Sequence, residues 1–209
     1  MKLLRQTIRR MILQEGMKMP EQLPGNIGVV VDYSLSPIVN VYYAELDKNG
    51  DVVTRSGTDP KHQGVWGWVE FSLNTERYKY GPCSGAAVVR ETEAADGWGP
   101  LLYDVAIEVA SAEASGLIAD RRTVSPDARY VWNTYLRSRD DVDSFQLDDP
   151  YDRLTPDPDD NCNQDVAMED EDAYDWEESP LSKVYIKNSQ PMMDKLDALG
   201  KLVELEGYQ

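Results

Sequence analysis

The chain has 209 residues, a formal net charge of −17 and 41% hydrophobic residues, enough for one sizeable domain or one domain with extended appendages. The charge is local, because residues 140–178 hold 17 acidic residues against one base, Arg153, while the remainder is close to neutral. This balance argues against nucleic acid as a partner outside the basic N-terminus, the two distant cysteines argue against a disulfide framework or zinc site, and no apolar run is long enough for a membrane span or secretion signal.

Residues 1–16, MKLLRQTIRRMILQEG, place Leu4, Ile8, Met11 and Ile12 on one helical stripe with Lys2, Arg5, Arg9 and Arg10 around the rest. The reading is a basic amphipathic helix, docked on its own domain, on a partner, or on nothing in the free protein. Residues 17–26, with Pro20 and Pro24, read as a linker.

From Ile27 the pattern changes to strands. IGVVVDY and IVNVYYAEL are rich in β-branched and aromatic residues, and Asn49-Gly50 is a hairpin signal leading to DVVTRSG. A polar loop carries His62, the only histidine. In VWGWVEFSL, strand alternation puts Trp66, Trp68 and Glu70 on one face and Val65, Val69 and Phe71 on the other, as in a central strand. GAAVVRETEA is a further strand.

That strand runs into Gly97-Trp98-Gly99-Pro100, where proline suits the start of a helix. A helix start presents unpaired N–H groups and the positive end of the dipole, a setting for a phosphate or another anion. A plain tight turn is the other reading of these glycines. LLYDVAIEVASA is a helix burying Leu102, Val105, Ala106, Val109 and Ala110, and GLIAD is a short strand. Ser125 then caps a helix that opens with Pro126 and Asp127 and closes with Arg137 and Arg139, in the order the dipole prefers.

Residues 140–178 combine high charge with several prolines and read as an irregular excursion, pinned at points by Phe145, Leu147, Tyr151, Leu154, Tyr174 and Trp176. Residues 179–209 hold a strand, SKVYIK, and a helix carrying Met193, Leu196, Leu199, Leu202 and Val203, interrupted by Gly200.

In the order of its elements, from hairpin strands through a strand, glycine turn, helix, strand and Ser-capped helix, the core at residues 27–139 resembles the GNAT superfamily of acyl-CoA N-acyltransferases. The resemblance implies an α/β fold with a mixed, mostly antiparallel, twisted sheet flanked by helices. It implies a phosphate loop of the form Q/R-x-x-G-x-G/A, here Ala94 to Gly99, so that Gly97, Trp98, Gly99 and Leu101 would hold the acetyl-CoA pyrophosphate. Ala94 replaces the family's Gln or Arg, Asp96 adds a negative charge and Pro100 removes an N–H. Further on, the family's Asn, Ala and proton-donating Tyr correspond to Ser125, Ala128 and Trp132, and an indole cannot serve as that acid. Tyr130 and Tyr135 lie nearby in sequence but point in other directions on a helix.

For a general base the candidates are Glu70 and Glu93, with Glu91 beside them; each also reads as a solvated carboxylate. Cys83 with His62 is a weaker nucleophile and base pair, and the alternation of Asp157, Asp159, Asn161, Asn163 and Asp165 suits calcium but lacks the Gly and Glu of a strong loop. No metal is expected. The N-terminal helix also resembles the basic leaders of tailed-phage proteins, particularly from marine phages. Two functions follow: an acyl-CoA-dependent N-acyltransferase acting on an amine, or a non-catalytic protein of the same fold, in an interaction or virion role, docked through the basic helix and the acidic arm. Both imply a soluble protein of the cytoplasm, the host cytoplasm or a virion.

Overall fold

The computed structural model describes residues 18–53, 66–73, 85–120, 124–147 and 178–206. Within them the order is β1 (Ile27–Leu35), β2 (Ile38–Glu45), β3 (Gly67–Ser72), β4 (Ala87–Ala94), α1 (Gly99–Glu113), β5 (Leu117–Ile118), α2 (Pro126–Ser138), β6 (Asp143–Gln146), β7 (Lys183–Ile186), α3 (Pro191–Ala198) and β8 (Leu202–Leu205). The strands form one sheet in the order β6-β7-β5-β4-β3-β2-β1-β8. Only the β4/β5 and β1/β8 neighbours are parallel. The chain is therefore α/β with a mixed, mostly antiparallel sheet.

Alternation in β1 to β3 builds two apolar surfaces. Val29, Val31, Val41, Tyr43, Val69 and Phe71 join the main core with the buried side of α1, while Val30, Tyr42, Ala44 and Trp68 form a second cluster with Val203 and Leu205. None of the three helices contributes to that second cluster, so the helix cover expected on both faces is absent there among the described residues. β3 is central, as expected, but Trp66 does not share the face of Trp68. A φ of 95° at Trp66 and 140° at Gly67 breaks the alternation and turns Trp66 into the main core.

Ser125 caps α2 as the sequence predicts, its Oγ accepting from the Ala128 N–H at 3.2 Å. Three boundaries differ from the sequence expectation. Residues 17–26 are no free linker, because a short 3-10 turn at Pro20–Gln22 delivers Leu23 into the core, and Lys201 Nζ donates to the carbonyls of Leu23 and Pro24. The acidic stretch begins with a strand, β6, paired to β7 from Asp143↔Ile186 to Gln146↔Lys183. The C-terminal helix stops at Ala198: Gly200 takes a φ of 64° and Lys201 N–H bonds back to the Leu196 carbonyl at 2.8 Å, a glycine-terminated helix end that sends Leu202–Leu205 into the sheet beside β1.

The basic helix at 1–16, His62, Cys83, Cys162, the calcium-like run 157–165 and most of the acidic arm lie outside the described residues. Of the hairpin after β2 the described part is the turn and an isolated Leu46↔Val52 bridge.

Candidate functional site

β4 is an interior strand that loses one neighbour part-way. On the β3 side it is paired as far as Gly67↔Ala94, but on the β5 side only Ala87↔Leu117 and Val88↔Ile118 are in register. From Val89 to Ala94 that edge faces a cleft roofed by the start of α1 and by α2. A cavity of about 480 Å³ lies there, lined among others by Thr92, Glu93, Gly97, Gly99 and Ser125. A smaller one of about 120 Å³ is lined by Arg90, Glu91, Asp120 and Trp132, among others. Thr92, Tyr103, Ser125 and Ala128 line both.

The glycine turn closes one end of the larger cavity. Gly97 takes a φ of 80°, a conformation that favours glycine, whereas Gly99 is ordinary helix. A Cβ at Gly99 would meet only the Ala94 Cβ, at 3.5 Å, so nothing in the fold itself demands glycine there. The missing side chain leaves the cavity wall open instead. No side chain caps α1 and no acid stands in its first turn.

Trp98 turns away from the cleft. It stacks on Trp66 at 4.4 Å, meets Tyr43 edge-on at 5.6 Å and carries the Lys18 ammonium 5.8 Å from its ring. The Tyr43 hydroxyl donates to the Trp98 carbonyl at 2.7 Å and the Tyr135 hydroxyl to the Pro100 carbonyl at 3.1 Å. The first turn of α1 is thus held from β2 and from α2. Burial raises the pKa of both tyrosines, keeping them as neutral donors.

The larger cavity is acidic. Glu93, Asp96 and Asp127 line it, and Arg139 is the only Arg or Lys among its lining residues. That guanidinium is already committed, to Asp104 at 2.9 and 3.1 Å and to both Asp141 oxygens at 2.6 Å. Burial alone would lower its pKa, but the Asp141 and Asp104 carboxylates raise it, and Arg139 in turn holds the Asp141 carboxyl down at about 2. Behind it, Lys187 Nζ donates to Asp104 at 2.7 Å and to Glu108 at 2.9 Å, all three side chains being buried. Sequence periodicity correctly gave α1 a buried side but did not anticipate two carboxylates within it.

Compared with known proteins, the chain matches no family model, no curated protein and no solved structure.

Of the residues singled out from sequence, Gly97, Gly99, Glu93 and Ser125 meet at the larger cavity, and Glu91 lines the smaller. Glu70 lines neither; it forms an ion pair with Arg90 at 3.4 Å. Trp98 and Leu101 are also outside the cavity lining, Trp98 in its aromatic cluster and Leu101 in the core. Trp132 is buried, stacked on Tyr185 at 5.0 Å.

Sequence reasoning missed Tyr103. It lies on α1 four residues after Gly99, one helical turn along the same face, and that spacing was the available signal. Its ring meets Trp132 edge-on at 5.0 Å. Burial pushes its pKa up to about 12, with the neighbouring Thr92 side chain pulling it the other way. Among the described residues no group of three or more His, Cys, Asp or Glu is placed to hold a metal ion, and no helix is long and apolar enough to cross a membrane.

Proposed function

We propose that the chain is an acyl-CoA-dependent N-acyltransferase of GNAT type. The observation that carries this reading is the early separation of the parallel strands β4 and β5 beside the glycine turn. An interior strand with one released edge offers backbone N–H and C=O groups to an extended, amide-bearing ligand, as an added strand would use them. The pantetheine arm of coenzyme A is such a ligand. Gly97, Gly99 and the uncapped start of α1 then lie where its phosphates would be received, and the open wall at Gly99 gives the ligand close approach to the backbone. The thioester supplies an activated acyl group; this chain supplies orientation and proton transfer.

The smaller cavity suits the amine. Glu91 and Asp120 line it, and carboxylates near a nitrogen favour the ammonium form on binding and take its proton on reaction. Glu93 remains a candidate base at the larger cavity, while Glu70 is placed better to orient Arg90.

Two observations favour the second reading, a non-catalytic interaction or virion protein of the same fold. The larger cavity is lined by three carboxylates, and a tryptophan occupies the position where the resemblance expects a tyrosine. Docking would then run through the basic helix and the acidic arm.

Calorimetry and thermal melting with acetyl-CoA separate the two. Saturable binding with a rise in Tm, lost in Gly99→Glu, is expected for the acyltransferase, and a ligand at a hundred times its Kd stabilises by about 2.7 kcal/mol. Neither heat nor a Tm shift at millimolar acetyl-CoA would sink it. For the second reading, deleting residues 1–16 should abolish assembly with a partner and leave the domain folded.

A further inference from the structure

We propose that the basic segment at residues 1–16 packs on the face of the sheet opposite the main core, as a helix laid across the strands. Its apolar stripe covers Val30, Tyr42 and Trp68, and its basic flank answers the buried acceptors of Asp32, Asn40 and Glu70.

That face is covered, and the described elements do not cover it. Strand pairing sets Val203, Val30, Tyr42 and Trp68 side by side in one row across β8, β1, β2 and β3. Val30 is fully buried, Tyr42 is 2% exposed and Trp68 6%, yet none of the three helices contributes to their cluster. Neighbours in a sheet shield the flanks of a side chain but leave its tip open, so a tryptophan this deeply buried has another segment above it.

The same face asks for positive charge. Asp32↔Asn40 and Asn40↔Glu70 are paired, a second row two residues along the strands and therefore on the same side as Val30, Tyr42 and Trp68. Asp32 is 4% exposed and Asn40 6%. The Asn40 Oδ1 is buried without a hydrogen-bond partner, and among the described residues the Asp32 carboxylate accepts only from the Ser34 N–H, at 2.8 Å. Buried acceptors in this state call for donors, and beside carboxylates the strongest donors are cationic.

Among the longer stretches outside the described residues, 148–177 is acidic and runs between β6 and β7, at the far end of the strand order. Stretches 54–65 and 74–84 carry no helical apolar stripe. Residues 1–16 carry both a stripe, at Leu4, Ile8, Met11 and Ile12, and a basic flank beside it, at Lys2, Arg5 and Arg9. The lengths agree. A helix runs about 12 Å from Leu4 to Ile12, and the row from Val203 to Trp68 crosses four strands in about 14 Å.

The chain also arrives at the right place. The Lys18 N–H donates to the Gly97 carbonyl at 3.3 Å, three residues after Ala94, whose partner Gly67 directly precedes Trp68. Residues 13–17 then lead from Lys18 back to Ile12, and five residues reach up to about 17 Å, enough to pass round the end of the sheet.

The cavities are roofed by α1 and α2, which take no part in this cluster, so the proposal is independent of the acyltransferase reading. A partner that engages residues 1–16 would first have to lift them from the sheet.

Amide hydrogen exchange on the full chain tests this, together with a photo-crosslinking phenylalanine analogue placed at position 8. In wild type the amides of residues 4–12 should exchange at least about tenfold more slowly than in an unstructured chain, equally at protein concentrations about a hundredfold apart. Ile8→Asp should lose that protection, and so should Arg5→Glu combined with Arg9→Glu. Arg10→Glu, on the far side of the stripe, should keep it within about twofold. All these substitutions lie outside the sheet, and the amides of β1 to β4 report in the same spectra that the domain stays folded. The crosslink should join position 8 to residues 27–46 or 66–73 of the same molecule. Unprotected amides at 4–12, protection that grows with concentration, protection that survives Ile8→Asp, or crosslinks to another surface or to a second molecule would each overturn the proposal. Equal losses in Arg10→Glu and in the Arg5 and Arg9 pair would overturn the basic flank. Acetyl-CoA binding, present or absent, changes none of these outcomes.

Discussion

The Tyr43 hydroxyl, on β2, donates a 2.7 Å hydrogen bond to the carbonyl oxygen of Trp98, the residue between the two glycines of the turn. One buried strand residue thereby sets where α1 begins, and with it the wall of the cleft. Tyr43→Phe keeps the ring and removes only the bond. Its stability in denaturant titration should fall by about 1 kcal/mol, the usual value of one such bond. Acetyl-CoA affinity should fall with it, since the turn loses an anchor.

Two glycines near the cleft should respond oppositely to alanine. A Cβ at Gly67 would lie 2.5 Å from the Glu93 carbonyl oxygen and 2.6 Å from the Ala94 Cα, at a φ of 140°. The backbone of the neighbouring strand β4 leaves no room, so Gly67→Ala should cost upward of about 2 kcal/mol. Gly99→Ala should leave stability unchanged or raise it by up to about 1 kcal/mol, because glycine is a poor helix residue, and should weaken acetyl-CoA binding. Chemical denaturation and calorimetry on the two variants check both arms.

Lys187 pairs with two buried carboxylates, Glu108 and Asp104, the second of which it shares with Arg139. Lys187→Met should destabilise by about 3–5 kcal/mol, the usual penalty for stranding a buried charge. Burial already lifts the Glu108 carboxyl, with the Lys187 charge pulling it back; without the lysine Glu108 would bind a proton more readily in the folded state. A folded pKa raised above the unfolded one gives a penalty that is full at high pH and fades as pH falls. The gap between variant and wild type should therefore narrow on acidification. A gap independent of pH between neutrality and pH 4 would contradict this.

Asp141 has the opposite sign. Arg139 lowers its carboxyl to about 2, below the ordinary 3.8, so its contribution is present above the ordinary value and is lost as pH falls toward 2. With the side chain 44% exposed, solvent screening keeps that contribution small. Asp141→Asn should flatten the acid limb of the stability profile between about pH 4 and pH 2.

Asp96 lies on the turn that would receive phosphate. Asp96→Asn should tighten acetyl-CoA binding by about threefold at low ionic strength, with the gain shrinking as salt is added. Calorimetry at two salt concentrations reads this directly, and equal affinities at low salt would place the phosphates away from the turn.

Local chemistry was legible wherever it was strong. Ser125-Pro126 started α2, SKVYIK became β7, VWGWVEFSL became a central strand, and the glycine turn led into α1, because caps, β-branched runs and helix-start prolines act through a few adjacent residues. Errors arose where distant residues decide. Periodicity carried the last helix past Gly200, but a strand edge on β1 was available to Leu202–Leu205, and its backbone hydrogen bonds took precedence over a helix weakened by glycine. Glu70 alternated convincingly, yet alternation fixes a face and not a position along the sheet, and Arg90 of the neighbouring strand holds it.

The sequence by itself determined β1 to β5, α1, α2 and β7 in their order and the presence of a glycine turn between a strand and a helix, since these follow from intrinsic preferences of neighbouring residues. Tertiary structure alone decided that β4 and β5 part after two residue pairs, that Trp132 is buried against Tyr185, and that Tyr103 stands between two cavities. Each depends on residues brought together from separate stretches of chain. No local pattern carries such a distance.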